Sequence, residues 1–178
     1  MPGIDDSRTF HPLRIAVLTV SDTRTGETDG SGALLAQRIE AAGHELAAKA
    51  IVGDEVEAIR ARIEAWVADP AVDVILTTGG TGFAPRDRTP EAVKPLFRRE
   101  MEGFAVVFHQ ASLGTVGVAT LQSRACAGQI GDKLVFCLPG SPGACRDGWD
   151  LVLGQALDSR YRPCSFAEQV PRLRDHFE

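Results

Sequence analysis

Val72-Asp73-Val74-Ile75-Leu76-Thr77-Thr78-Gly79-Gly80-Thr81-Gly82-Phe83-Ala84-Pro85-Arg86-Asp87-Arg88-Thr89-Pro90-Glu91 runs from an apolar strand through a glycine-rich loop and a charged turn into a helix start. Glycine lets a backbone come close to a ligand, because it has no Cβ and tolerates positive φ. Successive N–H groups beside the hydroxyls of Thr77, Thr78 and Thr81 make a concave donor set suited to phosphate oxygens. Asp87 follows closely enough to hold a metal ion against the same phosphates. The competing reading is a plain strand-to-helix turn with no ligand.

Outward from this stretch the same strand-loop-helix unit recurs. Leu13 to Val20 reads as a buried strand, followed by Ser21-Asp22-Thr23-Arg24 and a helix near Ala33 to Ala42 that Gly43 stops. His44 to Val52 is a weaker strand. Asp54 with Glu57 matches a capping box, and Val56, Ile59, Ile63, Trp66 and Val67 trace one helical face behind it. Thr89-Pro90 fits an N-cap and first helical position. Phe104, Val107, Phe108 and Ala111 mark a further helix. Arg124 to Ile130 and Lys133 to Leu138, joined by Gly131-Asp132, read as a hairpin, and Pro139-Gly140-Ser141-Pro142-Gly143 leads into a last helix near Ala144 to Asp158. Alternating strands and helices imply an α/β sandwich with a mainly parallel sheet, and the hairpin implies one antiparallel strand.

Three loops leave strand ends with related chemistry: Val20-Ser21-Asp22, Thr77 to Asp87, and Leu138 to Pro142. In open α/β sheets ligands bind outside the carboxyl ends of strands, so the three imply one shared pocket. Neither GxxxxGK[ST] nor GxGxxG is present, and Ser141 in Gly140-Ser141-Pro142-Gly143 is not a nucleophile elbow. His11, His44, His109 and His176 show no ligand or triad spacing. Asp87 reads as functional. Asp54 and Asp22 stand equally well as caps or turn residues, or as ligands of Mg2+ beside a triphosphate.

Composition bounds the rest. The 178 residues are 44% apolar and 24% charged, the balance of one globular domain. A net charge of −5 argues against broad nucleic-acid binding. No apolar run approaches the roughly 18 to 20 residues that span a bilayer. Residues 1–12 carry acidic groups and no secretory h-region, and read as a flexible arm. Cys126, Cys137, Cys145 and Cys164 lack CxxC spacing and read as reduced thiols of a cytoplasmic protein rather than zinc ligands or disulfides. Phe97, Phe104 and Phe108 suit either the core or an interface between copies.

Leu18-Thr19-Val20-Ser21-Asp22, Asp29-Gly30-Ser31-Gly32, Thr77 to Gly82 with Arg86 to Ala92, Leu121 to Ala125 and Leu138 to Pro142 together resemble the MoaB/Mog family of molybdenum cofactor biosynthesis proteins, most of all its MoaB branch. The likeness spans about Leu13 to Pro163. It implies a three-layer α/β/α domain over residues 13–163, with residues 164–178 as a tail, assembled as a homotrimer or homohexamer. It implies binding of molybdopterin and, as in active relatives, its adenylylation with Mg2+ and ATP as co-substrate, before possible hand-over to a molybdenum insertase. The family's catalytic and metal-binding aspartates fall on Asp54 and Asp87. Its substrate and nucleotide contacts fall on Ser21, Asp22, Gly79, Gly80, Thr81, Gly82, Arg86, Ser123, Arg124, Pro139, Gly140 and Ser141. Arg88 stands where many relatives have a smaller residue. The alternative within the same resemblance is a non-catalytic molybdopterin carrier. Neither reading involves nucleic acid or a membrane.

Overall fold

The computed structural model describes residues 1–174. In chain order the elements are β1 (Gly3–Ile4), β2 (Arg14–Val20), α1 (Gly30–Ala41), β3 (Glu45–Val52), α2 (Val56–Val67), β4 (Val74–Thr78), α3 (Thr89–Val93), β5 (Arg99–Glu100) and α4 (Glu102–Val116). They continue as β6 (Cys126–Ile130), β7 (Lys133–Leu138), α5 (Pro142–Gly148), α6 (Gly154–Ala156), β8 (Tyr161–Arg162) and α7 (Val170–Arg174).

Six strands form the main sheet in the order β3-β2-β4-β7-β6-β5. The β3, β2, β4 and β7 ladders are parallel, and β6 runs against both of its neighbours, so the expected single antiparallel strand is the first arm of the hairpin. Helices on both faces explain why β2 and β4 read as unbroken apolar runs. Ile15 and Val17 join the core beneath α1, α4, α5 and α7, whereas Ala16, Leu18 and Val20 join the core beneath α2 and α3. These are the three layers. Ile59, Ile63 and Trp66 of α2 are buried at helical spacing, as their periodicity predicted.

Several local expectations give way to longer-range contacts. Asp54 does not cap α2: the capping position belongs to Glu55, and no side chain accepts there. Thr89 likewise opens α3 without capping it. The last helix is not uniform, because Trp149–Leu153 forms a π-helical turn between α5 and α6. Nor does the amino-terminal arm hang loose. β1 pairs with β8, Arg8 meets the Glu168 carboxylate, and Phe10 packs on His44 with ring centroids 5.0 Å apart. His44 is itself buried, its Nδ1 accepting from the Leu13 amide at 3.1 Å. In the tail, Val170 is core and Leu173 packs against it, while His176 lies outside the described residues.

The helical run Glu102–Gln122 is 21 residues long and contains an 18-residue stretch of mean hydropathy 1.4, apolar enough by length and composition alone to cross a bilayer, unlike any run expected from the sequence. Its Phe104 and Phe108 nevertheless pack with Phe136 in the core, so neither is an interface residue of the free chain. The same run carries the exposed apolar groups Val106, Val107, Leu113, Val116, Val118 and Leu121.

Candidate functional site

From β2 the chain moves outward to β3, then returns to β4 on the other side of β2. That reversal opens a crevice at the carboxyl ends of β2 and β4, the position where doubly wound sheets bind ligands. A cavity of about 380 Å³ occupies it, lined chiefly by Ser21 to Arg24, Ser31, Asp54, Thr78 to Gly80, Arg86, Asp87, Gly140 and Ser141. Larger cavities of about 410, 480 and 580 Å³ lie elsewhere, but none gathers the paired aspartates, and here chemistry outweighs size.

The glycine loop is shaped by close packing inside the protein. Gly79 and Gly80 have φ of 101° and 66°, both in the left-handed region. A Cβ on Gly79 would collide with the Val20 carbonyl, and one on Gly80 with the Thr89 hydroxyl. The structure thus places the cost of a Gly80 side chain inside the protein, against α3. Thr89 completes the turn, its Oγ1 donating to the Gly79 carbonyl at 2.8 Å and its N–H to the Gly80 carbonyl at 2.9 Å. Among the described residues none accepts from the Gly80 N–H, so that donor is available at the cavity wall.

Two aspartates of the pocket bind one another's backbone. The Asp54 amide donates to Asp22 Oδ1 at 2.9 Å, and the Asp22 amide donates to Asp54 Oδ2 at 3.2 Å. This reciprocal pair ties the loop after β2 to the loop after β3 and brings two carboxylates together. Burial, and then the charge of Asp22, push the Asp54 carboxyl above the usual range, against a backbone hydrogen bond from Asp22 and the positive charge of Arg86. Asp87 stands in the turn after the glycines, its Oδ2 accepting from the Ala84 amide at 2.8 Å.

Five predicted residues stand behind the cavity rather than in its wall. Thr81 and Ser123 share a hydroxyl hydrogen bond of 3.2 Å. The Pro139 carbonyl accepts from Thr78 Oγ1 at 2.9 Å. Arg124, expected among the substrate and nucleotide contacts, instead donates to the Gly82 carbonyl at 2.9 Å and the Asp87 carbonyl at 2.7 Å, and pairs with Glu91. Its amide also donates to the Thr81 carbonyl at 2.8 Å, so Arg124 braces the whole Thr81 to Asp87 loop.

Sequence reasoning missed Arg24. Its guanidinium donates to Ser31 Oγ at 3.2 Å and to the Gly140 carbonyl at 3.0 Å, linking the loop after β2 to α1 and to the loop after β7. The available signal was a lone arginine closing the hydroxyl-rich Ser21 to Arg24 loop. With Arg86 it gives the cavity two cations, against the carboxylates of Asp22, Asp54 and Asp87. Among the described residues no group of three or more His, Cys, Asp or Glu side chains meets as a metal cage. One or two carboxylates without a full cage fit Mg2+ carried in by phosphate oxygens, since Mg2+ keeps several oxygens from ligand and water.

A domain model described as "Probable molybdopterin binding domain" matches residues 16–159. Molybdenum cofactor biosynthesis protein B of Escherichia coli (strain K12) is 49% identical over 160 residues, covering 90% of this chain and 94% of that protein. A crystal structure of a molybdenum cofactor biosynthesis protein B superposes with a TM-score of 0.85 at 36% identity, covering 95% of this chain and all of the other. The tungsten cofactor synthesizing protein MoaB of Pyrococcus furiosus superposes at 0.68 with 32% identity, covering 93% and 96%.

Proposed function

This chain belongs to the MoaB/Mog family of molybdopterin-binding domains, and from that premise we propose that it adenylylates molybdopterin with Mg-ATP. It is a molybdenum cofactor biosynthesis protein by family. The finer reading rests on one observation: Asp54 and Asp87, from separate strand ends, line a single cavity with Arg24, Arg86 and the glycine loop.

In the proposed reaction a terminal phosphate oxygen of molybdopterin forms a bond to the α-phosphorus of ATP. The bond from that phosphorus to the bridging oxygen breaks, and pyrophosphate leaves. Such transfers ask for positioning and charge compensation more than for covalent chemistry by the protein. The Gly80 N–H supplies a fixed donor, Arg24 and Arg86 supply positive charge, and the Asp22–Asp54 tie holds two walls of the cavity in register. Mg2+, held by Asp54 and Asp87, would offset phosphate charge. Purified protein with molybdopterin and Mg-ATP should release pyrophosphate in proportion to adenylylated product; no release from correctly folded protein refutes the enzyme.

One observation favours the carrier. Asp54 and Asp87 each hold a loop through a backbone hydrogen bond, so both serve the fold of a pocket that only binds. A carrier retains molybdopterin affinity with no dependence on ATP.

The proposal includes a closed homo-oligomer and a hand-over of product to an insertase. Val118 and Leu121 are 76% and 71% exposed on the outer side of the 21-residue helical run, a surface suited to burial against a second copy. Light scattering at micromolar concentration should show a trimer or hexamer, and Leu121→Glu should dissociate it. A wild-type monomer refutes this part.

A further inference from the structure

Cys126 and Cys137 sit directly opposite one another on the antiparallel strands β6 and β7. Directly opposed residues in an antiparallel ladder have Cα atoms roughly 4.5 to 5.5 Å apart, inside the roughly 4.4 to 6.8 Å range that a disulfide bridges. Both side chains belong to the same core cluster, beneath α2 and α3. Their surroundings differ. Cys137 is fully enclosed, while Cys126 forms part of the wall of the 580 Å³ cavity that also includes Lys94, Glu100, Ala105 and Arg124.

We infer that Cys126 is a thiol-exchange site for small neutral disulfides, with Cys137 as its resolving thiol. The cavity supplies room for such a reagent. Its cations are matched by carboxylates, Lys94 with Glu100 at 2.7 Å and Arg124 with Glu91, which favours an uncharged partner. The Cys126 sulfur attacks one sulfur of RSSR, forming a mixed disulfide and releasing RS−, which takes up the Cys126 proton. The Cys137 sulfur then attacks Cys126, forming the cross-strand disulfide as the second RSH leaves with the Cys137 proton. Two protein thiols are oxidised and one disulfide is reduced to two thiols.

Access sets the order of the two steps, since Cys126 lines the cavity and Cys137 is enclosed, and the electrostatics agree. A hydrogen bond from Cys137, and then the nearby Lys94 and Arg124 charges, hold the Cys126 thiol below its usual range despite burial. The Cys137 thiol lies well above its own, through its bond to Cys126 and its enclosure. Cys145, on the other face of the sheet, is pushed up to about 11 by burial and has no opposed cysteine.

The test uses the full chain with exposed Cys164 replaced (Cys164→Ser), treated with hydroxyethyl disulfide under native conditions. Peptide mapping should find the Cys126–Cys137 disulfide and no adduct. Adding Cys137→Ser should trap one adduct on Cys126, and adding Cys126→Ser should leave Cys137 unmodified. Cys126 should react at least ~10-fold faster than Cys145, as its larger thiolate fraction requires. Near-UV circular dichroism confirms that each variant is folded, and mapping the parent needs no cysteine of the pair replaced. No disulfide in the folded parent, a disulfide that forms only in denaturant, or first modification of Cys137 would overturn the inference.

Discussion

The two ends of the sheet hold aspartates in opposite circumstances. At the amino end, Asp73 accepts from Arg14 Nη2 at 2.9 Å, Nε at 3.1 Å and the Arg14 amide at 2.8 Å, and pairs with Arg174. Burial opposes ionisation there, yet the Arg14 hydrogen bonds and the Arg14 and Arg174 charges hold the Asp73 carboxyl below the usual range. At the carboxyl end, Asp54 is half-buried beside another carboxylate and lies above it. One end uses charge to fasten β2, the start of β4 and the tail. The other keeps like charges close, at a cost to stability. The pocket lies only at the carboxyl end, the position where open α/β sheets bind ligands.

The sharpest way to break this division is Gly80→Val. Its left-handed φ and the collision with Thr89 should lower stability by at least ~3 kcal/mol, although the residue lines the site. A melting temperature close to the parent's would mean that the loop is less closely packed than the structure shows. Asp87→Asn should instead leave the melting temperature near the parent's, since the amide oxygen still accepts from Ala84. It should cut adenylylation at least ~10²-fold, the scale of losing a charge aimed at the transition state. Near-normal turnover by the folded variant removes Asp87 from the chemistry.

Asp73→Asn tests the other end. Losing the ion pair there should cost about 1 to 3 kcal/mol, and turnover per folded molecule should stay unchanged. Reduced turnover would show that the two ends are coupled. Asp54→Asn should match or exceed the parent's stability at pH 7, because it removes a disfavoured charge while the amide can keep the Asp22 contact.

The smallest effect is in pH. The Asp73 contribution is present above the ordinary carboxyl value of 3.8 and fades as pH falls through its lowered native value. The Asp54 contribution has the opposite sign: its stabilisation is full below 3.8 and lost as pH rises through its raised native value. Melting curves from pH 7 to acid should therefore show the parent losing its advantage over Asp73→Asn and gaining on Asp54→Asn. Parallel curves for the two variants would contradict the contrast.

How much of this was legible depended on the range of the contact. Val72 to Thr78 and Leu13 to Val20 were readable because both faces are buried and the apolar run is continuous. The hairpin was readable because Gly131-Asp132 separates two apolar runs, and Gly131 takes a φ of 56°. The shared cavity was foreseen from three loops at strand carboxyl ends. Asp54 satisfied a local capping rule, but its partner, Asp22, lies 32 positions away, and that contact prevailed. Arg124 carried the right charge for phosphate, yet three carbonyls and Glu91 engage it. The β1–β8 pairing joins two two-residue strands, too short to carry a periodic pattern. Phe104 and Phe108 gave no sign of which side of α4 they occupied, because that helix is apolar all round.

The most direct test of the account is a calorimetric titration of ATP with and without Mg2+, on the parent, Asp54→Asn and Asp87→Asn. Carboxylates facing a bare triphosphate repel it until a cation intervenes. The account predicts that Mg2+ tightens ATP binding by the parent at least ~10-fold, the equivalent of about 1.4 kcal/mol. Both variants should bind metal-free ATP better than the parent does while turning over more slowly. ATP affinity that is independent of Mg2+ in all three proteins would contradict it and leave the carrier.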